Sequence, residues 1–328
     1  MVPVEEIVTD SYITLVPNEN YEGTAPKIQK VVVNIVPSES ILTAVADGQA
    51  DFFNSKVPAE ISKLSENAAW EKSAVDTLFY YYLVFNLTGN DTRPANKALQ
   101  DPKVREAIYY AIDRESLAKS IYPEIGEVAS LGVPARDTAN YNDTINKFGY
   151  DPEKAKSLLA EAGYDTNQTL EFRYYMADQS SVSLYEAIVA NLEAVGIKVN
   201  LQKFAGDATQ ELFDIRNYDI ALKGLSAFGY DEWYGEYSAT HGNFPKLIGH
   251  NESYDKPYNE LIQATDANAK AAALKELQSI EQTDLTKMPV FMLKNMIFVN
   301  GEKVDTKGAQ FGNPWFAYDL GFENWEMK

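Results

Sequence analysis

A chain of 328 residues is long enough for two domains, each with its own core, and 45% hydrophobic with 23% charged residues is ordinary for a globular protein. A net charge of −19 without any Lys/Arg cluster argues against nucleic acid, because phosphates are bound by neutralisation. The absence of cysteine removes thiol catalysis, Cys-ligated zinc, iron–sulfur sites and disulfides, and no apolar run approaches the roughly 20 residues that span a bilayer.

The opening MVPVEEIVTD has neither a basic n-region nor an apolar h-region, so no signal peptide is expected within this chain. Tyr12 to Val16 reads as a short strand, residues 18–26 (NENYEGTAP) as a turn-rich connector, and Ile28 to Val36 as a β-branched strand that Pro37 ends. A helix from about Ser38 to Asp47 turns Ile41, Leu42, Val45 and Ala46 inward and offers Gly48 as its left-handed C′ residue. Ala50 to Asn54 is a further short strand. Leu78 to Asn86 is an almost unbroken aromatic and aliphatic run, which suits a strand buried on both faces. Period-two alternation there puts Phe79 and Tyr81 on one side and Leu78, Tyr80 and Tyr82 on the other.

Asp101 then stands where an N-cap carboxylate accepts backbone N–H groups, with Pro102 at the first helical position. Val104, Ala107, Ile108, Ala111 and Ile112 give that helix an inward face, and Asp113 can cap a further turn through Arg114, Glu115 and Ser116. Pro123 to Phe148 is rich in Gly, Pro, Asn and Asp and predicts an ordered surface loop. Asp151 and Pro152 repeat the cap-plus-proline start of a helix that Gly163 stops. Strand Thr169–Tyr175, helix Ser181–Val195, strand Ile197–Phe204, helix Asp207–Ile215 and strand Tyr218–Leu222 alternate, which implies βαβ units with right-handed crossovers. Two helices within Tyr254 to Asp284, an apolar strand Met288–Val299, and an aromatic tail with Trp315, Phe316, Tyr318, Phe322 and Trp325 complete the chain.

Few residues here could do chemistry. The two histidines, His241 and His250, lie nine apart in one loop, a spacing that matches no metal pair. There is no G-x-S-x-G elbow, P-loop or strand-borne G-x-G-x-x-G, so no cofactor and no metal is expected. The segment FGYDEWYGEY, residues 228–237, holds Asp231, Glu232 and Glu236 among aromatics. It reads as a solvated loop or a ligand-orienting one, with an Asp231/Glu236 hydrolase pair of the glycosidase kind as the alternative.

The order of these residues resembles a known family. FN, a loop and DPKVREAIYYAIDR match the "D-x-x-V-R-x-A-[IL]-x-x-A-[IV]-[DN]-[RK]" helix of the family 5 extracytoplasmic solute-binding proteins of ABC importers, the oligopeptide, dipeptide and nickel-binding group, through Asp101, Val104, Arg105, Ala107, Ala111, Asp113 and Arg114. Tyr21, Gly23, Pro26, Lys27, Ala44, Gly48, Ala50 and Asp51 fall in register with an earlier passage of that family, and YDPEKAKSLLAEAGY with a later one. NYDIALKGLSAFGYDEW is similar to its cleft-facing loop, except that Phe228 stands where peptide-binding members carry the Asp that pairs with the ligand's ammonium, and Leu225 where an aromatic is usual.

The resemblance implies an α/β, type II periplasmic-binding-protein-like fold with two lobes joined by crossing strands. The first lobe would be incomplete, since the family's early passage begins close to the start of this chain, as in a C-terminal fragment. Residues 1–76 with 294–328 would form the first lobe's remnant and residues 77–293 the second, with hinge strands at about 77–82 and 288–293. It further implies a non-enzymatic, extracytoplasmic monomer, periplasmic or lipid-anchored, that captures a peptide or other small solute and passes it to a membrane permease by hinge closure; a sensor or adhesin would look the same. Phe79, Tyr81, Gly224, Leu225, Ser226, Phe228, Tyr230, Asp231 and Trp233 would line the site.

Overall fold

The computed structural model describes residues 11–37, 40–91, 93–238, 244–309, 311 and 321–328. In chain order the elements are β1 (Tyr12–Leu15), β2 (Val31–Asn34), α1 (Ile41–Ala46), β3 (Phe52–Ser55), α2 (Pro58–Ser65), β4 (Trp70–Phe85), α3 (Lys97–Gln100), α4 (Pro102–Ala111), α5 (Arg114–Ile121), β5 (Gly126–Glu127), α6 (Pro152–Glu161) and β6 (Thr169–Tyr174). There follow α7 (Gln179–Ala194), β7 (Lys198–Lys203), α8 (Ala208–Gln210), β8 (Ile220–Ala227), α9 (Tyr230–Gly235), α10 (Pro245–Ile248), α11 (Asp255–Gln263), α12 (Ala267–Asp284), β9 (Lys287–Asn300), β10 (Val304–Asp305) and β11 (Glu326–Met327). The chain divides into two compact units, Met1–Thr77 with Lys294–Lys328, and Leu78–Leu293. β4 and β9 run from one into the other.

In the larger unit the sheet follows the order β9-β4-β8-β6-β7, with β5 on β9. β6 is parallel to β7 and to β8, the arrangement expected of strands joined through helices, while β8 is antiparallel to β4. The sequence signals act as physical chemistry requires. Asp101 accepts Lys103 N–H at 2.8 Å ahead of Pro102, Asp113 accepts Ser116 N–H at 3.1 Å, and Asp151 accepts Lys154 N–H at 2.9 Å ahead of Pro152. Gly163 takes a positive φ of 64° after α6, where a side chain would be strained.

Three expectations change. Residues 123–148 are more than a surface loop: Glu124, Thr138, Asp143 and Lys147 are exposed, but Ile125, Leu131, Val133 and Phe148 are buried and anchor it in the core. β8 begins at Ile220 and continues to Ala227, beyond the expected Leu222, because its partner β4 offers a ladder to Leu78. The presumed loop 228–237 contains helix α9, whose Trp233, Tyr234 and Gly235 are buried.

In the smaller unit β3 pairs antiparallel with the end of β9, and Val75, Ile297, Val299, Val304 and Trp325 form the core. Trp325 packs edge-on against Phe322 at 4.6 Å, as expected of the aromatic tail. Trp315, Phe316 and Tyr318 lie outside the described residues. Helix α2, started by Pro58, has no counterpart in the sequence reading. β1 and β2 form a separate two-stranded sheet.

Candidate functional site

The β4–β8 ladder sorts five of the nine expected site residues, Phe79, Tyr81, Gly224, Leu225 and Ser226, onto two faces. Phe79 is opposite Ser226 and Tyr81 opposite Gly224, whereas Tyr80 is opposite Leu225 and Tyr82 opposite Lys223. Directly opposed residues of an antiparallel pair share a face, so Phe79, Tyr81, Gly224 and Ser226 stand together and Leu225 points the other way.

On the first face the rings of Phe79 and Tyr81 meet edge-on, 5.3 Å apart. Gly224 lies beneath them: a Cβ there would sit 3.5 Å from Phe79 Cζ and 3.7 Å from both Tyr81 Cε1 and Tyr175 Oη. These are ordinary contact distances, so three aromatic groups converge on this position with room for no more than a small side chain. Gly224 N–H donates to Tyr175 Oη at 3.0 Å, which fixes that phenol over the strand. Tyr81 continues to Tyr122 and thence to Phe291, at 6.0 and 5.6 Å. Beside them starts α7, where Asp178 accepts from both the N–H and the hydroxyl of Ser181. Burial pushes the Tyr81 phenol up to about 12, so it stays neutral at any physiological pH. Phe79, Gly224 and Ser226 are half-buried, the Gly224 C=O accepts from Lys223 Nζ at 3.3 Å, and the aromatic wall is flanked by the Asp178 carboxylate.

The opposite face is core. Tyr80 stacks on Trp233 at 4.4 Å and Tyr82 meets Trp233 edge-on at 5.0 Å. The Lys287 ammonium, fully buried, lies 3.8 Å from the Trp233 ring centroid and donates to Trp233 C=O at 2.7 Å and to Glu236 Oε2 at 3.0 Å. Glu236 also accepts from Tyr82 Oη at 2.9 Å and from Lys223 at 3.2 Å. Glu281 accepts from Gly132 N–H, Trp233 Nε1–H and Tyr234 Oη–H at 3.1, 2.9 and 2.8 Å. Burial pushes Glu281 up and Lys287 down from their ordinary values, and each opposes the other's shift by its charge.

Tyr230 and Trp233 therefore belong to the packing of this unit rather than to an open surface, while Leu225, on the same face, is half-buried. Leu225 packs on the core cluster that contains Tyr230 and Trp233, and Tyr230 donates its hydroxyl to Asp137 at 2.8 Å. Phe228 and Asp231 are exposed around the start of α9. The carboxylates of the alternative hydrolase pair have different surroundings, Asp231 on the surface and Glu236 held by two lysines and a phenol. His250 faces Asp255 at 3.1 Å, and His241 lies outside the described residues. Among the described residues no group of three or more His, Cys, Asp or Glu is placed to hold a metal, and no helix is long and apolar enough to cross a membrane.

Tyr175 and Glu281 escaped the sequence reading. A signal for Tyr175 existed, since it directly follows β6 at the carboxyl end of the parallel strands, where open α/β sheets bind ligands. Glu281 had none, because its three donors come from distant parts of the chain.

A family description, "Bacterial extracellular solute-binding proteins, family 5 Middle", matches residues 3–246. The chain is 27% identical over 299 residues to heme-binding protein A of Haemophilus influenzae, which covers 86% of this chain and 52% of that protein. It is 24% identical over 325 residues to the dipeptide-binding protein of Escherichia coli, covering 93% and 57%. The chain thus spans about half the length of the curated relatives it matches. Among solved structures, the ABC transporter substrate-binding protein CtaP of Listeria monocytogenes superposes with a TM-score of 0.83 at 21% identity, covering 98% of this chain and 65% of that one. NikZ of Campylobacter jejuni, in complex with Ni(L-His), gives 0.79 at 17%, covering 98% and 66%. The fold is that of the type II periplasmic binding proteins, and this chain belongs to the family 5 bacterial extracellular solute-binding proteins.

Proposed function

We propose that this chain is the ligand-facing part of a solute-binding protein that captures a peptide or other small solute outside the cytoplasmic membrane and delivers it to an ABC permease. The observation that carries this reading is the convergence of Phe79, Tyr81 and Tyr175 over the bare backbone of Gly224. Flat apolar rings with polar edges form the kind of surface on which a small organic ligand is stacked and oriented. The names of relatives that bind haem and dipeptides support a solute of that size.

The chemistry narrows the class. Position 228, where the family resemblance places an ammonium-pairing carboxylate, is an exposed Phe. Stacking on the rings then dominates over a buried ion pair at that position, which favours a modified peptide, an oligosaccharide or a small hydrophobic solute over an ordinary free peptide.

Native mass spectrometry of the purified chain, followed by denaturing extraction, tests the proposal. An adduct of small-molecule mass is expected, lost in Tyr81→Ala. An adduct that persists undiminished in Tyr81→Ala and Phe79→Ala together would move the site elsewhere.

A further inference from the structure

β8 outruns one of its two neighbours. Its ladder with β4 extends from Ile220 to Ala227, whereas β6 pairs with it at Ile220 and Ala221 and ends at Tyr174. Among the described residues, the stretch from Leu222 to Ala227 therefore has a partner strand on the β4 side alone. A strand edge of this kind offers backbone N–H and C=O groups to any extended chain beside it, and main-chain pairing along an edge is a general way of holding a peptide. This edge lies at the carboxyl end of β6, next to Phe79 and Tyr81.

At Gly224, however, the edge is already taken. The N–H and C=O of one strand residue point to the same side, and those of successive residues to opposite sides. Gly224 N–H turns away from β4 and donates to Tyr175 Oη at 3.0 Å, and Gly224 C=O accepts from Lys223 Nζ at 3.3 Å. Both backbone groups that an added strand would need here are thus met by the protein's own side chains. Tyr175 directly follows β6, so its phenol stands where the ladder from that side would continue. It is half-buried and packed against the core cluster, which holds it in place. A phenol that accepts one hydrogen bond still has its own hydrogen to donate.

We infer that Tyr175 sets the class of solute. By capping Gly224 it closes the β8 edge to an extended peptide main chain, and in exchange it presents a single hydroxyl donor to a compact solute stacked on Phe79 and Tyr81. The class so selected is a cyclic or otherwise compact organic molecule with an oxygen acceptor, rather than a linear peptide. The inference rests on the reading of this face as the solute site.

The test titrates the blocked tripeptides acetyl-Ala-Ala-Ala-amide and acetyl-Ala-Phe-Ala-amide, which carry main-chain groups without terminal charges, into the chain freed of co-purified solute, with calorimetric readout. Tyr175→Ala is expected to bind them at least about tenfold more tightly than the wild type, because Gly224 N–H is then open to pairing. Its native mass spectrum is expected to show less of the solute adduct that the wild type carries. Tyr175→Phe keeps the ring and removes only the hydroxyl, so it should shift both readouts in the same direction even if the alanine variant fails to fold. Equal tripeptide affinities in wild type and variants, or no binding by any of them, would overturn the inference and leave solute capture itself standing. So would an adduct undiminished in both variants. A wild type without any adduct is the separate result that counts against the solute site.

Discussion

Arg114 explains at the level of one side chain why the helix signature has the form it has. Its guanidinium is buried, donating to Ala129 C=O at 2.8 Å, Pro289 C=O at 3.2 Å and Phe148 C=O at 2.7 Å, so one residue ties α5 to the buried loop and to β9. Arg105 does the same for Leu99 C=O and Asp284 C=O at 2.6 and 2.7 Å, the latter at the end of α12. A planar fork of five donors in fixed directions spans four widely spaced carbonyls around Arg114, more than the three donors of an ammonium could satisfy. Arg114→Lys is therefore expected to lower stability by about 2–3 kcal/mol through stranded buried carbonyls. Urea denaturation with an unchanged midpoint would contradict this. Gly224 shows the opposite economy, a side chain left out. Gly224→Val should leave the fold intact and weaken solute binding by about tenfold or more, a loss of roughly 1.4 kcal/mol, because the added methyls enter the space shared by Phe79, Tyr81 and Tyr175. Titration of the extracted solute into both proteins reads this, and equal affinities would exclude Gly224 from the site.

Among the elements, α4 with its caps and the face-sorting of β4 were legible because each rests on local rules, an N-cap followed by proline and a period of two. α9 was not, since Gly229 and Gly235 bracket it and its aromatics suit a loop as well as a helix. Leu225 and Trp233 were expected at the site through the family resemblance; with the strand running to Ala227, alternation puts Leu225 on the face of Tyr80 and Tyr82, half-buried against the core, and Trp233 is fully buried. The buried loop of residues 123–148 escaped because its apolar anchors are single and aperiodic. What binds α9, α12 and β9 together is the cluster of Glu236, Lys287 and Glu281, assembled from distant sequence. Lys287→Met leaves carboxylates buried without their cation and should cost about 3–5 kcal/mol. Thermal unfolding checks it, and a loss below 1 kcal/mol would show that water or rearrangement replaces the ammonium. Glu281 also sets a pH dependence. Its folded-state value is raised above the ordinary 4.5 by burial, so its contribution to stability is complete below that value and is lost as pH rises through the raised one. Urea midpoints across this window should fall with pH more steeply in the wild type than in Glu281→Gln; parallel profiles would contradict the assignment.

For the whole molecule, β4 and β9 are the strands that pass between the two units, and we propose them as the hinge of a solute-binding protein. A solute that binds one state better than another shifts the population by that difference in affinity, so small-angle scattering should report a smaller radius of gyration with solute than without. Family and fold could be anticipated because four separated motifs fall in register, whereas the ligand could not, because a wall of aromatic rings and bare backbone suits many solutes. The decisive measurement is a crystal structure of the chain with its co-purified solute. Solute atoms within about 4 Å of Phe79, Tyr81 and Gly224 are the expected result. A solute seated on other residues, with Phe79 and Tyr81 making no contact to it, would contradict the assignment of this face as the binding site.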